Sequence, residues 1–179
     1  MPLTSINPNF WRSVTGSVMQ ESFIFSDTFA HNIALDSDSL DETRLYQAAK
    51  MANVDGFIRT LPLGYHTKIG MEGNGVSQGQ RQRLLIARAI YKNPEYIFFD
   101  EATNALDTTN ESEIMHHLYE FYHGRTVVVA AHRLSTVKNA DQIVVIDQGK
   151  VVEVGNHESL TAKRGAYYNL VKNQLELGN

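Results

Sequence analysis

A glycine-rich turn that runs directly into an apolar-periodic helix is the feature that most constrains this chain. The turn covers residues 73–79, with Gly73, Gly75 and Gly79, and the helix is predicted from about Gln80 to Tyr91. Glycine permits turns that expose backbone N–H groups, and a helix directs its positive N-terminal end at a bound anion. The pattern is typical of phosphate-binding segments, although an ordinary loop before a capped helix has the same appearance.

The helix and the segment after it suggest a layered α/β arrangement. Its buried face is predicted to comprise Leu84, Leu85, Ala87 and Ile90, with Arg81, Arg83 and Arg88 off that face. Pro94 ends the helical pattern, and the largely apolar run 95–99 is typical of a buried strand in a parallel sheet. Asp100 and Glu101 follow, where open α/β sheets bind ligands. Buried acids are costly unless a metal ion or reacting water compensates them, so this pair is predicted to be functional.

Five motifs along the chain resemble those of the ATP-binding cassette (ABC) ATPases, the motor domains of ABC transporters. They are Val18–Glu21 (Q-loop), Val76–Gln80 (signature motif), Tyr96–Glu101 (Walker B strand), Asn104–Asp107 (D-loop) and Ala130–Thr136 (switch-histidine loop). The resemblance implies an α/β fold of the P-loop NTPase (RecA-like) class, with a mostly parallel sheet flanked by helices. It also implies an inserted helical subdomain at about 27–91, and core-subdomain segments at 12–26 and 92–179.

The resemblance also implies ATP and Mg²⁺ as cofactors and assigns catalytic roles. Asp100 would hold the magnesium ion through water, Glu101 would polarise the attacking water, and His132 would bridge that water and the γ-phosphate. Gln20 would contact both the metal ion and the water. Taken alone, the glutamine could simply end a strand, and the histidine could be a satisfied core residue.

Other motif residues would act across a head-to-tail dimer with a second ABC ATPase domain. Ser77, the Gly79 amide and Gln80 would bind ATP held by the opposite subunit, and Asp107 would act at the interface. A solvated, helix-capping aspartate is the alternative for the last of these. Gln78 stands where the family usually has glycine, which we expect to be tolerated unless its φ is unfavourable.

The phosphate-cradling motif Gly-x-x-x-x-Gly-Lys-Ser/Thr occurs nowhere in the chain. Gly149-Lys150 lacks the first glycine and the following hydroxyl. The resemblance thus covers roughly the C-terminal two thirds of an ATPase domain, and the phosphate loop would lie before Met1. We therefore expect the isolated chain not to hydrolyse ATP, and we expect unpaired edges in its sheet.

Charge and hydropathy restrict the partners. A net charge of −4 and a pI of about 5.9 leave no basic footprint, so nucleic acid is not expected. With no cysteine, neither disulfides nor thiolate metal sites are available. No apolar run approaches the roughly 20 residues of a spanning helix. The chain is predicted to be soluble and to reach the cytoplasmic side of the inner or plasma membrane through an exporter's transmembrane domain.

In the N-terminal half, residues 1–13 are predicted to be a polar lead into the strand Thr15–Met19, Ser39 and Glu42 to form a capping box before Leu45, Ala48, Ala49 and Ala52, and Phe23, Phe25 and Phe29 to form a partner surface or simply core. In the C-terminal half, Thr108 or Thr109 is predicted to cap a helix that reaches Tyr122, and His116, His117 and His123 are predicted to be solvated. Thr126–Ala131 and Gln142–Asp147 are predicted to be buried strands, the second of which turns back as a hairpin through Val151–Val154.

The leading functional hypothesis is the ATPase part of an ABC exporter, with similarity extending to bacterial peptide and bacteriocin exporters that carry a peptidase domain. Two alternatives remain open. One is a non-catalytic module that pairs with an intact ABC subunit. The other is a soluble ABC ATPase outside transport, against which the acidic charge stands.

Overall fold

The computed structural model describes residues 2–19, 22–35, 40–70, 75–100, 108–131 and 137–177, with the backbone alone at 108–113 and 174–177. The chain divides into two compact units, Met1–Val128 and Val129–Asn179. Within the described ranges, no helix is both long enough and apolar enough to cross a bilayer.

The first unit consists of helices around a small sheet. Its helices are α1 (Pro8–Val14), α2 (Phe29–Ala34), α3 (Glu42–Met51), α4 (Asp55–Thr60), α5 (Gln78–Lys92) and α6 (Thr108–Tyr122), with 3₁₀ turns at Leu3–Ser5 and Gly64–His66. The strands β1 (Thr15–Val18), β2 (Tyr96–Asp100) and β3 (Thr126–Ala130) lie in the order β1-β2-β3, and β3 continues past residue 128. β1 and β2 pair in parallel, with Thr15 opposite Tyr96 and Val18 opposite Phe99. The predicted α/β class with a parallel sheet is confirmed.

The polar lead predicted before β1 is wrong, because that segment contains α1. Asn7 caps this helix by accepting hydrogen bonds from the amides of Asn9 (2.8 Å) and Phe10 (3.4 Å), and Pro8 occupies the first turn. Trp11 packs against Tyr96 of β2 with ring centroids 5.0 Å apart. The Asn-Pro pair was a readable helix-start signal that the polar composition concealed.

Helix α3 has the predicted buried face but a different cap. Leu45, Ala48 and Ala49 are buried, as predicted, and so is Ala52, which directly follows the helix. The cap is Asp41, whose carboxylate accepts from the Arg44 amide at 3.0 Å. Ser39, the predicted cap, lies outside the described residues and is two positions farther from the first turn, so the predicted capping box is wrong.

Two strands are more exposed than predicted. β3 alternates exposed and half-buried residues, and Val128 is 51% exposed. It ends the strand order with β2 as its one neighbour in the described sheet, so part of its surface stays open. In the second unit, Val144 and Ile146 of β4 are also exposed, where they alternate with the buried Ile143 and Val145.

The second unit is an antiparallel hairpin followed by two helices. It comprises β4 (Ile143–Asp147), β5 (Lys150–Gly155), α7 (His157–Lys163) and α8 (Ala166–Leu177). The predicted hairpin is confirmed, and Gln148 and Gly149 form its turn with φ of 46° and 75°. Ile143, Val145, Leu160 and Tyr167 form the core of this unit.

The buried Asp55 carboxylate fixes α4 to the following turn. Tyr65 donates a 2.6 Å hydrogen bond to Asp55, and Arg59 Nε lies 2.8 and 2.9 Å from the two carboxylate oxygens. Burial alone would raise the pKa of Asp55, but these donors outweigh it and hold that pKa below its usual value. The Tyr65 hydroxyl has a raised pKa because of burial and the neighbouring carboxylate.

Asp55→Asn is therefore expected to lower the free energy of unfolding by about 1 to 3 kcal/mol at neutral pH. Because the folded-state pKa is depressed, the advantage of the unsubstituted chain is complete above the unfolded pKa of 3.8 and is lost as pH falls through the lower folded value. Urea unfolding between pH 3 and 7 measures it. The exposed Asp141→Asn is the control, and an equal, pH-independent loss in both variants would contradict the prediction.

Candidate functional site

The N-terminus of α5 is built by a reciprocal capping box. The Ser77 hydroxyl accepts from the Gln80 amide at 3.2 Å, and the Gln80 side-chain oxygen accepts from the Ser77 amide at 2.8 Å. The helix thus begins at Gln78, two residues earlier than predicted. Gly79 lies inside the helix instead of in the turn, and Gly75, with φ of 96°, makes the turn.

The capping box leaves specific donors for an anion. It uses the amides of Ser77 and Gln80, so the amides of Gln78 and Gly79 are the two in the described first turn without an intrahelical acceptor. Ser77 is exposed, and its hydroxyl keeps a proton to donate while its oxygen accepts the cap bond. Two backbone amides and a hydroxyl are therefore available as donors at the positive end of a fifteen-residue helix.

The departure at Gln78 causes no backbone strain. Positive φ among the described non-glycine residues occurs at Leu35, Asn53, Asn93, Gln148 and Arg164. Gln78 is not among them and has helical geometry as the first residue of α5. The expectation that a glutamine is tolerated at this position is confirmed for the backbone.

The second part of the site lies at the carboxyl edge of the sheet. Asp100 is the last residue of β2 and is half-buried. β1 ends at the same edge, because Val18 is paired in parallel with Phe99. Gln20, Glu101, Asp107 and His132 lie outside the described residues. Among the residues that are described, no group of three or more His, Cys, Asp or Glu side chains could hold a metal ion.

The predicted aromatic surface includes two of its three members. Phe23 and Phe25 are 52% and 47% exposed and meet edge to face with centroids 5.3 Å apart. Between them Ile24 is fully buried and anchors the segment. Phe29 is buried against Phe57 and belongs to the core, because its place at the start of α2 turns it inward.

Arg88 and Asn32 hold this segment, and the sequence prediction missed both. Arg88 donates from Nε to the Asn32 carbonyl (2.7 Å) and from Nη1 to the Phe23 carbonyl (2.8 Å). Burial lowers the pKa of Arg88 to about 10, so the guanidinium stays charged at neutral pH. The fully buried Asn32 accepts from the Phe25 amide at 2.8 Å and donates to its carbonyl at 3.0 Å. Helical periodicity gave no signal, since an arginine off the apolar face is usually solvated.

The histidines predicted along α6 differ in their exposure. His117 is half-buried and lies 3.1 Å from the Met51 carbonyl, so it is less solvated than predicted. His116 is exposed, with Glu120 3.8 Å away. Thr108 is the first helical residue of α6, so neither Thr108 nor Thr109 is the residue that precedes this helix.

Ser77→Ala is expected to lower the free energy of unfolding by about 1 kcal/mol through loss of the cap. Ser77→Asp keeps an acceptor for the Gln80 amide and places a negative charge at the positive helix end, so its stability should stay within about 0.5 kcal/mol of the parent. Thermal or urea unfolding measures both. A destabilised Ser77→Asp chain would show that the cap bond is not what Ser77 contributes to stability.

Comparisons with known proteins show what the chain is similar to. Residues 2–104 match the family described as ABC transporter. The chain is 47% identical over 173 residues to the ATP-dependent lipid A-core flippase of Saccharophagus degradans, covering 97% of this chain and 30% of that protein. It is 46% identical over 175 residues to the Toxin RTX-III translocation ATP-binding protein of Actinobacillus pleuropneumoniae, covering 97% and 24%.

The chain is also similar to a solved structure. A bacterial Atm1-family ABC exporter with ATP bound has a TM-score of 0.90 and 39% identity, over 96% of this chain and 30% of that one. The chain therefore spans less than a third of the length of these relatives. The resemblance predicted from the five motifs is confirmed, including its exporter type.

Proposed function

The chain belongs to the ABC transporter family, and on that premise we propose that it is the ATP-binding part of an exporter in which ATP hydrolysis drives transport across a membrane. The observation that carries the proposal is the match along 96% of the chain to an exporter solved with ATP bound. The available amides and hydroxyl at the start of α5 support it, because they suit a phosphate group.

ATP and Mg²⁺ are the proposed cofactors. Bound magnesium would neutralise charge on the phosphates. Asp100 fits this ion because a hard carboxylate oxygen at the open edge of a parallel sheet is the ligand type that magnesium prefers. In a complete domain we assign Glu101 to polarising the water that attacks ATP on that domain's own phosphate loop, and His132 to bridging that water and the γ-phosphate. Gln20 is assigned to the metal ion and the water.

The proposed site is shared between two ATPase domains in a head-to-tail dimer. Ser77 and the Gly79 amide would donate to the γ-phosphate of ATP held by the second domain, and Gln80 fixes Ser77 through the capping box. Asp107 is assigned to the same interface. This chain carries no phosphate-loop motif in its 179 residues, so we propose that it does not turn over ATP alone and acts on ATP held by its partner.

The second proposed partner is a transmembrane domain, which the chain would contact from the cytoplasmic side of the membrane. The aromatic pair Phe23 and Phe25 offers it an exposed apolar contact. Both residues follow directly on the Gln20 segment in the sequence. Toxin translocation and lipid flipping are named for the relatives. The substrate class and a fused peptidase domain remain predictions that the residues of this chain do not determine.

The test is complementation of a disabled relative. The ATP-binding domain of the S. degradans flippase serves as the partner, with the residue that aligns with Ser77 replaced by arginine so that it cannot supply this donor itself. We expect magnesium-dependent ATP turnover when this chain is added and none from either protein alone. Turnover by the chain alone would refute its proposed dependence on a partner, and a silent mixture beside an active unsubstituted relative would refute the shared site.

A further inference from the structure

Two arginines of α5 reach the same stretch of backbone. Arg81 Nη2 donates to the Ser22 carbonyl at 2.8 Å, and Arg88 Nη1 donates to the Phe23 carbonyl at 2.8 Å. The two arginines are seven residues apart, or about two helical turns, so they project from one side of the helix. Consecutive carbonyls of an irregular segment are thus both bonded to one helix.

The segment is secured at its other points as well. Asn32 bonds both the amide and the carbonyl of Phe25, and Ile24 is fully buried. Ser22 is bonded back to Met19, amide to carbonyl at 3.2 Å, and its hydroxyl accepts from the Met19 amide at 3.0 Å. Met19 and Ser22 are thus bonded to each other, and the Ser22 carbonyl is bonded to Arg81.

We propose that Arg81 and Arg88 are positioning residues that fix the Ser22–Phe25 segment on α5, so that the exposed aromatic pair Phe23 and Phe25 and the helix end containing Ser77 keep one relative placement. The inference rests on the proposed function, since only there does Ser77 act on ATP and the aromatic pair contact a transmembrane domain. It links the exposed aromatic pair, on the proposed membrane-domain side, to the residue that serves the partner's ATP.

The structural arm of the test measures amide hydrogen exchange of peptides covering residues 19–25 in the full chain. Arg81→Ala should speed exchange in this stretch by about 5- to 10-fold, because one anchoring hydrogen bond is lost. Arg81→Lys should restore protection, since an ammonium reaches a single carbonyl. Arg83→Ala is the matched control: Arg83 bonds the Asn53 carbonyl at 3.0 Å and the Gly79 carbonyl at 3.3 Å on the same helix.

The functional arm uses the complementation mixture. Arg81→Ala should lower kcat about 3- to 10-fold with KM for ATP unchanged, because the partner binds the nucleotide while Ser77 is misplaced. Arg83→Ala should lower it less, and Arg81→Lys should recover it. Three results would each overturn the inference. They are unchanged amide exchange at residues 19–25, an equal increase in exchange with Arg83→Ala, and altered exchange with unaltered kcat. If the mixture with the unsubstituted chain shows no ATP turnover, the proposed function is refuted. The exchange measurement alone then tests whether the two arginines fix the segment on α5.

Discussion

Replacing Asn32 with alanine is expected to lower the free energy of unfolding by about 3 to 4 kcal/mol, the largest stability effect we predict for a single residue. The Asn32 side chain is fully buried and bonds the Phe25 amide (2.8 Å) and the carbonyls of Phe25 (3.0 Å) and Thr28 (3.0 Å). Its Oδ1 also lies 3.2 Å from Arg88 Nη2. Alanine leaves these buried polar groups unpaired beside a charged guanidinium, which costs more than the bonds contribute.

Urea denaturation followed by circular dichroism measures this loss. Asn9→Ala is the control, because Asn9 is exposed and its described side-chain bond is to Arg12 at 3.0 Å, so its effect should stay within about 0.5 kcal/mol. A loss below about 1 kcal/mol for Asn32→Ala would show that water replaces the missing amide. The large energetic role that we assign to the Asn32 hydrogen bonds would then be wrong.

Sequence periodicity predicted the parts of the fold that local rules determine. The apolar face of α5 and the hairpin turn at Gln148-Gly149 are each specified by residues close together in the chain. The start of α5 was misplaced by two residues, although Ser77-x-x-Gln80 is itself a capping-box pattern. That signal was local and readable.

The remaining errors have a different physical origin. Arg88 contacts backbone that lies 56 and 65 residues earlier, and no periodic pattern contains such a contact. The exposure of β3 and β4 depends on what packs over them, which an apolar run cannot tell. For the candidate site, the sequence predicted which residues have suitable chemistry. The structure added the cap at Ser77 and the arginine bonds to the Ser22 and Phe23 carbonyls.

Ser77→Asp in the complementation mixture is expected to reduce ATP turnover about 100-fold or more, because it replaces a donor to the γ-phosphate with a negative charge. The same variant keeps an acceptor for the Gln80 amide, so the helix should stay folded and the loss should be in function. Unfolding curves recorded on the same samples separate these two effects. Ser77→Thr, which retains a hydroxyl, should preserve most of the turnover.

Glu101→Gln should leave turnover in that mixture nearly unchanged, which is the opposite of what a self-sufficient ATPase would show. In the proposed arrangement the hydrolysed ATP rests on the partner's phosphate loop and meets this chain at Ser77, so the partner's own carboxylate polarises the water. Glu95→Gln, at the other end of β2, removes the same charge and is the matched control. A loss of about 100-fold with Glu101→Gln but not with Glu95→Gln would place the reacting water beside this chain's carboxylate and contradict the proposed division of the site.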